Sequence, residues 1–513
     1  MIHKGKVAAK YAKLDRERNE VLHRAELAAK VTIPHICPPE GHTENSRLPD
    51  PYQGLGARAV NTLAAKIVLA LFPPNTAFFK TGLDQLTQAS LQGGDGGQLA
   101  EANQMLALYE TIAVQKLEQT RLRSVAAMLV KHLIVTGNGA LRVSKDEGFK
   151  FFPLRSYVVQ RDPEGDVLYG IIKEVVSPEA LSEEVRQAVM TPQALQQHEQ
   201  NGGGDPLDVY TVQTREGKKF KVWQEINDTL VPGSEGSYTL EAPLFLFLRW
   251  TQLPDESYGR GQVDEYYGDF KALDDLSRDL LDASAAAAKV IFLRDPNSFI
   301  SERKLAEAKS GDILTGRRED IGTVGVDKLQ DFQISLERMR DIRREITDAF
   351  LMHSSVQRNA ERVTAEEIRF MAQELEDALG GVYSILAQEL QMPLAKRWLK
   401  ILTDKQLLPP LPREGVNLTI TTGLDALGRG HEIARIDGFL RQAQELLGPE
   451  AVNDWINPKA LLERLSAGWG VPKADFINDA EQVQQAQQQR AMQQMAQQAV
   501  PGMAQEAMRQ GEM

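Results

Sequence analysis

Two short stretches of the sequence contain residue types that could do chemistry. In HICPPEGH, residues 35–42, the side chains of His35, Cys37 and His42 lie close together along the chain, and imidazole and thiolate groups are preferred zinc ligands. Three mixed ligands around two prolines lack the paired spacing of structural zinc sites, so we expect no metal there. Cys37 is the single cysteine of the sequence, which excludes an internal disulfide.

The second stretch, GDILTGRR at 311–318, has the GxxxxG spacing of a phosphate-binding loop. Arg317 and Arg318 occupy the positions where that loop requires a lysine and then a serine or threonine. Without those residues, we predict that the stretch is a turn. The sequence also lacks GxSxG, HExxH and paired CxxC motifs, so we predict that the protein is not an enzyme and uses no cofactor.

A strongly acidic segment extends from Asp264 to Asp282. It contains seven acidic residues and two basic ones, Lys271 and Arg278. Within residues 264–289, apolar residues recur at steps of three, four and seven, which is typical of a helix with one buried face. One side of this helix must therefore be strongly negative. A solvated helix face is the ordinary explanation of such a stripe.

A sharply defined helix start follows the polar segment HSSVQRNAERV at 353–363. Thr364 as N-cap and Glu367 three residues later form a capping box, which satisfies main-chain N–H groups of the first helical turn. Val363 and Ile368 flank this box as a hydrophobic staple. Together these four residues predict the first residue of the helix to within about one position.

The helix that begins at Thr364 is predicted to continue to about residue 402. We expect bends at Gly380, Gly381 and Pro393, because glycine and proline weaken the main-chain hydrogen bonding of a helix. Residues 416–422, VNLTITT, have the composition of a β-strand.

The length and composition of the chain set wider limits. A chain of 513 residues is too long for one core and predicts two to four structural units. A content of 42% hydrophobic and 25% charged residues excludes a wholly disordered chain. The net charge of −12 argues against a surface that grips nucleic acid, although it allows a protein that encloses DNA without holding it.

The sequence contains no sign of secretion or membrane insertion. The first twenty residues lack the apolar segment of a signal peptide. The longest apolar run, IVLALF at 67–72, is too short to span a bilayer. We therefore expect a soluble protein of the cytosol or of a particle.

The order of elements predicts an α+β fold that is predominantly helical. Helices are predicted near 7–30, 54–72, 97–118, 121–136, 264–289 and 335–352. Strands joined by turns are predicted at 137–177 and 207–251, on either side of a flexible insertion near 178–206. Because two helices flank the short mixed segment 290–334, we expect an antiparallel helix pair with a small module at its far end.

Four separate segments resemble a known family. ERVTAEEIRFMAQELEDALGGVYSILAQELQMPL at 361–394 closely resembles the long wing helix of portal proteins, the head-to-tail connectors of short-tailed bacteriophages of the podovirus type. The segments LPDPYQGLGARAVNTLAAKIVLALFPPNTAFFK at 48–80, SYGRG at 257–261 and TGLDALGRG at 422–430 agree with it. The resemblance extends from about residue 10 to 440.

The resemblance implies the portal fold, with wing, stem, clip and crown, assembled as a ring of twelve subunits around a central DNA channel at one capsid vertex. It implies this division of the chain: wing 1–262, first stem helix 263–290, clip 291–334, second stem helix 335–352, tunnel loop 353–363, long wing helix and closing strand 364–428, crown 429–480, and a tail 481–513. The tail is rich in glutamine, methionine and alanine, and we expect it to be partly disordered.

The resemblance also implies roles for individual residues. The channel-facing tunnel loop would include Gln357, Arg358, Asn359 and Arg362. Arg358 is its best candidate for contact with DNA phosphates, although an ordinary exposed loop also explains this residue. An acidic channel wall of Asp275, Asp279 and Asp282 would repel the duplex toward the axis, so that DNA can slide in both directions. Arg317 and Arg318 would form a docking surface of the clip or simply be solvated. Val363, Thr364, Glu367 and Ile368 would anchor the loop to the wing helix.

The partners implied by the resemblance are those of a portal. They are further copies of the same chain, double-stranded DNA without sequence specificity, the large terminase, the tail adaptor or tail tube protein, the major capsid and scaffolding proteins, and internal core proteins at the crown, with no membrane. The implied location is the portal vertex of the virion, with assembly in the host cytoplasm. An internal scaffolding or core protein without a channel is the alternative. A second alternative is an enzyme, either a nuclease or a packaging ATPase. The ATPase would need a phosphate-binding loop, which the sequence lacks.

Overall fold

The computed structural model of this chain describes most of residues 2–352 and parts of the remainder. The described residues are 2–43, 45–74, 77–84, 87, 96–146, 148–193, 195–196, 204–287, 291–296, 301–309, 311–313, 317, 321–324, 329–352, 378–379, 381–409, 416–420, 438–446, 448 and 461–462. The chain forms two compact units, Met1–Gly423 and Leu424–Met513. The second unit is helical at 438–446, where Phe439 and Leu446 are exposed.

Helices occupy both ends of the first unit. In chain order the α-helices are α1 Val7–Glu17, α2 Asn19–Lys30, α3 Leu55–Leu71, α4 Gly96–Glu118, α5 Leu122–Thr136, α6 Glu183–Val189, α7 Gln262–Glu265, α8 Tyr267–Ala287, α9 Glu302–Glu307, α10 Leu329–Ala349 and α11 Met392–Asp404. The helices predicted near 54–72 and 121–136 correspond to α3 and α5 within one or two residues.

The strands lie mainly in the middle of the first unit. They are β1 Phe79–Leu83, β2 Asn138–Ser144, β3 Gly148–Phe152, β4 Tyr157–Arg161, β5 Val167–Val176, β6 Leu207–Glu216, β7 Lys219–Ile226, β8 Thr229–Leu230, β9 Gly236–Thr239, β10 Phe245–Arg249, β11 Ile291–Arg294, β12 Ile321–Val324 and β13 Val416–Ile420. A six-stranded sheet has the order β4-β5-β6-β7-β8, with β9 beside β7, and a three-stranded sheet has the order β10-β2-β3. The pairs β1–β13 and β11–β12 are separate antiparallel sheets.

A close contact joins the two larger sheets. A Cβ atom added to Gly170 of β5 would lie 2.1 Å from Cζ of Phe247 in β10, so the Phe247 ring rests directly on the β5 main chain. Gln213 of β6 donates to the carbonyl oxygen of Phe245 at 3.0 Å and accepts from its N–H at 2.9 Å. Only glycine leaves room for the ring, which explains why a residue with low β propensity occurs inside β5.

Helices α3 and α5 form the centre of the main core. Leu63 and Ile67 of α3 and Leu129 and Leu133 of α5 are at most 2% exposed, and α3 and α5 pack against each other. Burial of one such leucine side chain stabilises a fold by about 1.5–3 kcal/mol. These helices therefore provide a rigid base for the elements that surround them.

Helices α8 and α10 form an antiparallel pair, as the sequence predicts. The Phe350 ring at the end of α10 packs against Phe270 near the start of α8, with ring centroids 5.3 Å apart. Along the chain, the antiparallel strands β11 and β12 and the short α9 separate the two helices. α10 begins at Leu329, six residues before the predicted start, because LQDFQIS continues in helical form.

Part of the segment 178–206, predicted to be a flexible insertion, packs against the six-stranded sheet. Ser182 caps α6 through its hydroxyl, which accepts from the N–H of Val185 at 3.4 Å. Val189 and Met190, at the end of this helix, are buried with Val209 and Ile226 of the sheet. Residues 197–203 lie outside the described residues.

The predicted long helix can be followed from 381 to 404, and it passes through Pro393 without interruption. A π-helical turn, Ala387–Gln391, precedes α11 directly, and Pro393 stands in the first turn of α11. Proline has no N–H to donate, and the first turn of a helix is where that group is not needed. The π turn, with its wider hydrogen-bonding pattern, allows the helix to continue through Pro393 without a break.

Candidate functional site

The acidic stripe lies on the face of α8 that points away from α10. Phe270, Leu273 and Ser277 of α8 are buried. Asp275, Asp279 and Asp282 lie at helical steps of four and three, on the opposite face. Their charge is partly compensated, because Arg278 lies 3.4 Å from the Asp275 carboxylate and 3.5 Å from that of Asp279. Since these side chains are 47–69% exposed, the ion pairs add little to stability.

The predicted tunnel loop and its helix cap lie outside the described residues. These residues are Gln357, Arg358, Asn359, Arg362, Val363, Thr364, Glu367 and Ile368. The same holds for Arg318, whereas Arg317 is described and exposed. The structure therefore does not test the roles given to these side chains.

The last described residues before that loop are fixed by α3. Leu351 adopts a left-handed φ of +51°, and the N–H of Met352 donates to the carbonyl oxygen of Thr347 at 2.8 Å. The ammonium of Lys66 in α3 donates to the carbonyl oxygen of Leu351 at 2.7 Å. A cation at the C-terminus of a helix is favoured by the helix dipole.

The described residues after the loop are fixed to the end of the same helix. The hydroxyl of Tyr383 donates to the carbonyl oxygen of Ala70 at 3.0 Å, and Nε2 of Gln391 donates to that of Leu71 at 2.8 Å. Both carbonyls lie in the last turn of α3, where no N–H within the helix is available to them. The segments on either side of residues 353–377 are thus both anchored to α3.

The motif SYGRG at 257–261 sets the position of α7 and α8. Asn138 donates through Nδ2 to the carbonyl oxygen of Gly259 at 2.9 Å and accepts from the N–H of Gly259 at 2.8 Å. A Cβ atom on Gly259 would lie 2.6 Å from the Thr251 carbonyl oxygen, and one on Gly261 would lie 2.5 Å from that of Ile134. Both glycines are therefore required for the close approach of the chain to α5 and β2.

A buried charge cluster joins the π turn to the sheets, and no sequence pattern predicts it. Glu389 accepts hydrogen bonds from Nε of Arg249 at 3.0 Å and from its Nη2 at 2.5 Å, and lies 3.5 Å from Nη1 of Arg161. The side chains of Arg249 and Arg161 are 2% and 4% exposed. Burial lowers the pKa of Arg161, and the Glu389 carboxylate opposes this shift. These residues are far apart in sequence, so no local pattern could show that they meet.

The residues considered as metal ligands are not brought together. Cys37 is buried, which raises the pKa of its thiol, whereas His35 is exposed. Nδ1 of His42 lies 2.7 Å from the Ser46 hydroxyl. Among the described residues, no group of three His, Cys, Asp or Glu side chains is placed to hold a metal ion. In the same part of the chain, no helix is both long and apolar enough to cross a bilayer.

The class of protein follows from the sequence as a whole, which matches the connectors between phage heads and tails. Residues 4–477 match the model of the family described as bacteriophage head to tail connecting protein, and the chain belongs to this family. The resemblance drawn from residues 361–394 is thereby confirmed.

The similar proteins include two portal proteins of well-defined phages. The chain is 36% identical to the portal protein of Enterobacteria phage T3 over 493 residues, which cover 94% of this chain and 90% of the relative. It is 35% identical to the portal protein of Escherichia phage T7 over 506 residues, covering 96% and 92%. A chain in the neck of a native gene transfer agent particle, computed with C12 symmetry, has 12% identity and a TM-score of 0.35, with 77% and 89% covered.

Proposed function

We propose that this chain is the subunit of a phage portal, through which double-stranded DNA is packaged into the capsid and later ejected. The observation that carries this proposal is the family match over residues 4–477, together with portal proteins that align with more than nine tenths of the chain. In this proposal the protein is structural and carries out no catalysis itself.

The proposed assembly is a ring of twelve copies at one vertex of the capsid. Helices α8 and α10 correspond to the stem, the β11–β12 segment to the clip, and residues 353–363 to the tunnel loop. The clip, including Arg317 and Arg318, docks the large terminase during packaging and the tail adaptor afterwards. The residues from 429 onward face the capsid interior, next to internal core proteins.

The charge of the helix pair supports a channel that does not hold DNA. The outward face of α8 carries Asp275, Asp279 and Asp282, of which two share the single cation Arg278. A wall with excess negative charge repels phosphates, so each subunit lowers the affinity for DNA instead of adding a contact that would slow its movement. Arg358 in the tunnel loop supplies brief phosphate contacts.

Capsid assembly with and without this chain tests the proposal. Shells assembled with the chain, supplied with the cognate terminase and ATP, are expected to protect DNA from nuclease, and shells without it are expected to protect none. Equal protection in both cases would contradict a portal function. Shells that form only with the chain, but that package DNA through a ring built from another protein, would favour the scaffolding role instead.

A further inference from the structure

The helix pair has two sides of opposite charge, which follow from the position of each residue relative to the core. Met339, Ile342 and Ile346 of α10 are buried against α8. Arg340 and Arg343 each follow a core residue by one position, whereas Asp341 and Glu345 each precede one. One residue turns an α-helix by about 100°, so these two sets lie on opposite flanks of the buried face.

The first helix of the pair repeats the pattern. Around Phe270, Leu273 and Leu280 of α8, Asp269 precedes a core position, and Lys271, Asp274 and Leu281 each follow one. Because α8 and α10 run antiparallel, the residues one position before a core residue fall, in both helices, on the same side of the pair. The residues one position after a core residue, in both α8 and α10, fall on the other side.

Contacts of the α3 region confirm that the residues one position after a core residue lie on the same side of the pair in both helices. The N–H of Tyr52, just before α3, donates to the carboxylate of Asp274, which follows Leu273, at 2.7 Å. On the same side, a cleft of about 380 Å³ lies between the start of α3 and α10 and is lined by Gly54, Leu55, Arg58, Arg343 and Thr347. Arg343 and Thr347 are the residues that follow Ile342 and Ile346.

The two sides differ in charge and share an apolar component. We call them the basic side and the acidic side. The basic side carries Arg58, Lys271, Arg278, Arg340 and Arg343 against Asp274, and the acidic side carries Asp269, Asp341 and Glu345 against Arg338. Within the described part of the chain, Arg338, Arg340 and Arg343 make no side-chain ion pair.

Exposed apolar side chains accompany the charges. Leu281 and Leu336, on the basic side, are 59% and 38% exposed, and Ile334, on the acidic side, is 67% exposed. Apolar side chains beside complementary charges are typical of a specific protein interface, in which the charges select partner and register.

We infer that the acidic side of one copy docks against the basic side of the next copy, with Asp341 and Glu345 facing Arg340 and Arg343 across the contact. Two different surfaces that fit each other form a head-to-tail contact, which generates a ring when the rotation closes. A two-fold contact would bring like charges together and is disfavoured. The cleft beside Arg58 and Arg343 receives the acidic side chains, helped by the positive end of the α3 dipole.

This inference rests on the proposed ring and adds the residues that build it. It leaves Asp275, Asp279 and Asp282 on the free face of α8, away from both sides of the pair. The same helix pair can therefore line a channel with one face and bind its two neighbours with its flanks.

The test uses two full-length variants with reversed sides. Variant one carries Arg340→Glu and Arg343→Glu, and variant two carries Asp341→Lys and Glu345→Lys. Each alone brings like charges together at every contact, so we expect the ring fraction to fall at least about tenfold at roughly 0.1 M salt. Mixed one to one, the variants are complementary at every contact of an alternating ring, and rings are expected to return.

The measurements are light scattering after size exclusion and negative-stain imaging, with circular dichroism as the check of folding. Arg338→Glu is the matched control, because the same change of charge on the same helix strengthens the acidic side and is expected to preserve rings. Rings from either reversed variant at the wild-type level, or no rings from the mixture, would overturn the inference. Absence of rings in the wild-type protein would instead refute the proposed function.

The salt dependence of wild-type rings tests the inference even where a reversed variant does not fold. Wild-type rings are expected to dissociate as salt rises from about 0.05 M to about 0.5 M, since screening weakens exposed charge pairs. A ring population that does not change over this range would also overturn the inference.

Discussion

The buried ammonium of Lys66 donates a hydrogen bond of 2.7 Å to the main-chain carbonyl oxygen of Leu351. Lys66 is 1% exposed, and a buried cation is tolerated only when polar partners satisfy it. Leu351 ends α10 in a left-handed conformation. This contact fixes the point at which the chain leaves the helix pair and enters the segment predicted to face DNA.

Replacement of Lys66 by methionine is expected to lower the free energy of unfolding by about 1–3 kcal/mol. The substitution keeps most of the side-chain volume but leaves the Leu351 carbonyl without its donor. Urea denaturation at a fixed protein concentration measures the change. Lys13→Met is the control, because the Lys13 side chain is 65% exposed and its loss is expected to cost less than about 0.5 kcal/mol. Equal effects of the two substitutions would contradict the structural role.

The substitution Glu389→Gln is expected to destabilise the protein by about 3 kcal/mol or more. It removes the carboxylate that accepts hydrogen bonds from the buried guanidinium of Arg249 and lies beside that of Arg161, and an uncompensated buried charge is strongly unfavourable. The control is the exposed ion pair between Lys396 of α11, which follows the π turn, and Glu241 of the sheet region. Glu241→Gln removes the exposed partner of Lys396 and is expected to cost about 1 kcal/mol at most.

Thermal unfolding distinguishes these two cases. The midpoint of the Glu389→Gln protein is expected to fall by several degrees, and that of Glu241→Gln to stay close to the wild-type value. A small shift for Glu389→Gln would mean that the π turn is held mainly by its other contacts, which include its apolar packing and the hydrogen bond from Gln391 to Leu71.

The stability of the fold is expected to decrease in mild acid because of His132. Burial, with a smaller effect of the nearby His35, lowers the pKa of His132 to about 4, and its ring packs on Phe151 at 4.5 Å. The unfolded chain binds a proton near pH 6.5 and the folded chain does not, so the stabilisation is complete above about pH 6.5 and is lost as pH falls toward 4.

Replacement of His132 by leucine should remove this part of the pH dependence. The slope of unfolding free energy against pH, from denaturation series between pH 4 and pH 7, is expected to flatten by on the order of 2 kcal/mol over that interval. His23→Leu is the control, because His23 is exposed and its loss should preserve the wild-type profile. An unchanged slope for His132→Leu would assign the acid sensitivity to other groups.

The helices could be predicted because their burial repeats locally. Phe270 and Leu273 of α8 and Ile342 and Ile346 of α10 occur at helical spacing, and all four are buried as that spacing requires. The antiparallel arrangement of α8 and α10 followed from the short segment between them.

The contacts that hold these helices in place could not be predicted, because they join distant parts of the chain. Arg249 and Glu389 are separated by 140 residues, and Lys66 and Leu351 by 285. One signal was available for Lys66. It lies three residues after Leu63 and four before Ala70, on the buried face of an otherwise apolar helix, which marks it as a cation that needs a partner.

Neutralisation of the acidic stripe tests the proposed channel wall. The triple change Asp275→Asn, Asp279→Asn and Asp282→Asn is expected to increase the affinity of the ring for short duplex DNA about tenfold at low salt, because repulsion of phosphates is lost. Filter binding measures this affinity. The matched control neutralises three exposed acids of the sheet region, Glu179→Gln, Glu183→Gln and Glu184→Gln, and should leave DNA binding unchanged.

The Arg358→Ala variant tests the predicted channel loop. The ring is expected to assemble as in the wild type, because one loop side chain is removed, whereas packaging or retention of DNA should change with the loss of a phosphate contact. Nuclease protection of packaged DNA gives the readout, and Arg303→Ala, at an exposed site of α9, is the control. Normal packaging and retention in the Arg358→Ala variant would count against a channel position for this residue.

The central claim is that copies of this chain close into a ring around a channel. Negative-stain imaging of the purified full-length protein tests it directly. The expected images show uniform rings with a central hole in end-on views, with twelve-fold averages. Monomers or irregular aggregates, from protein that is folded by circular dichroism, would contradict the claim.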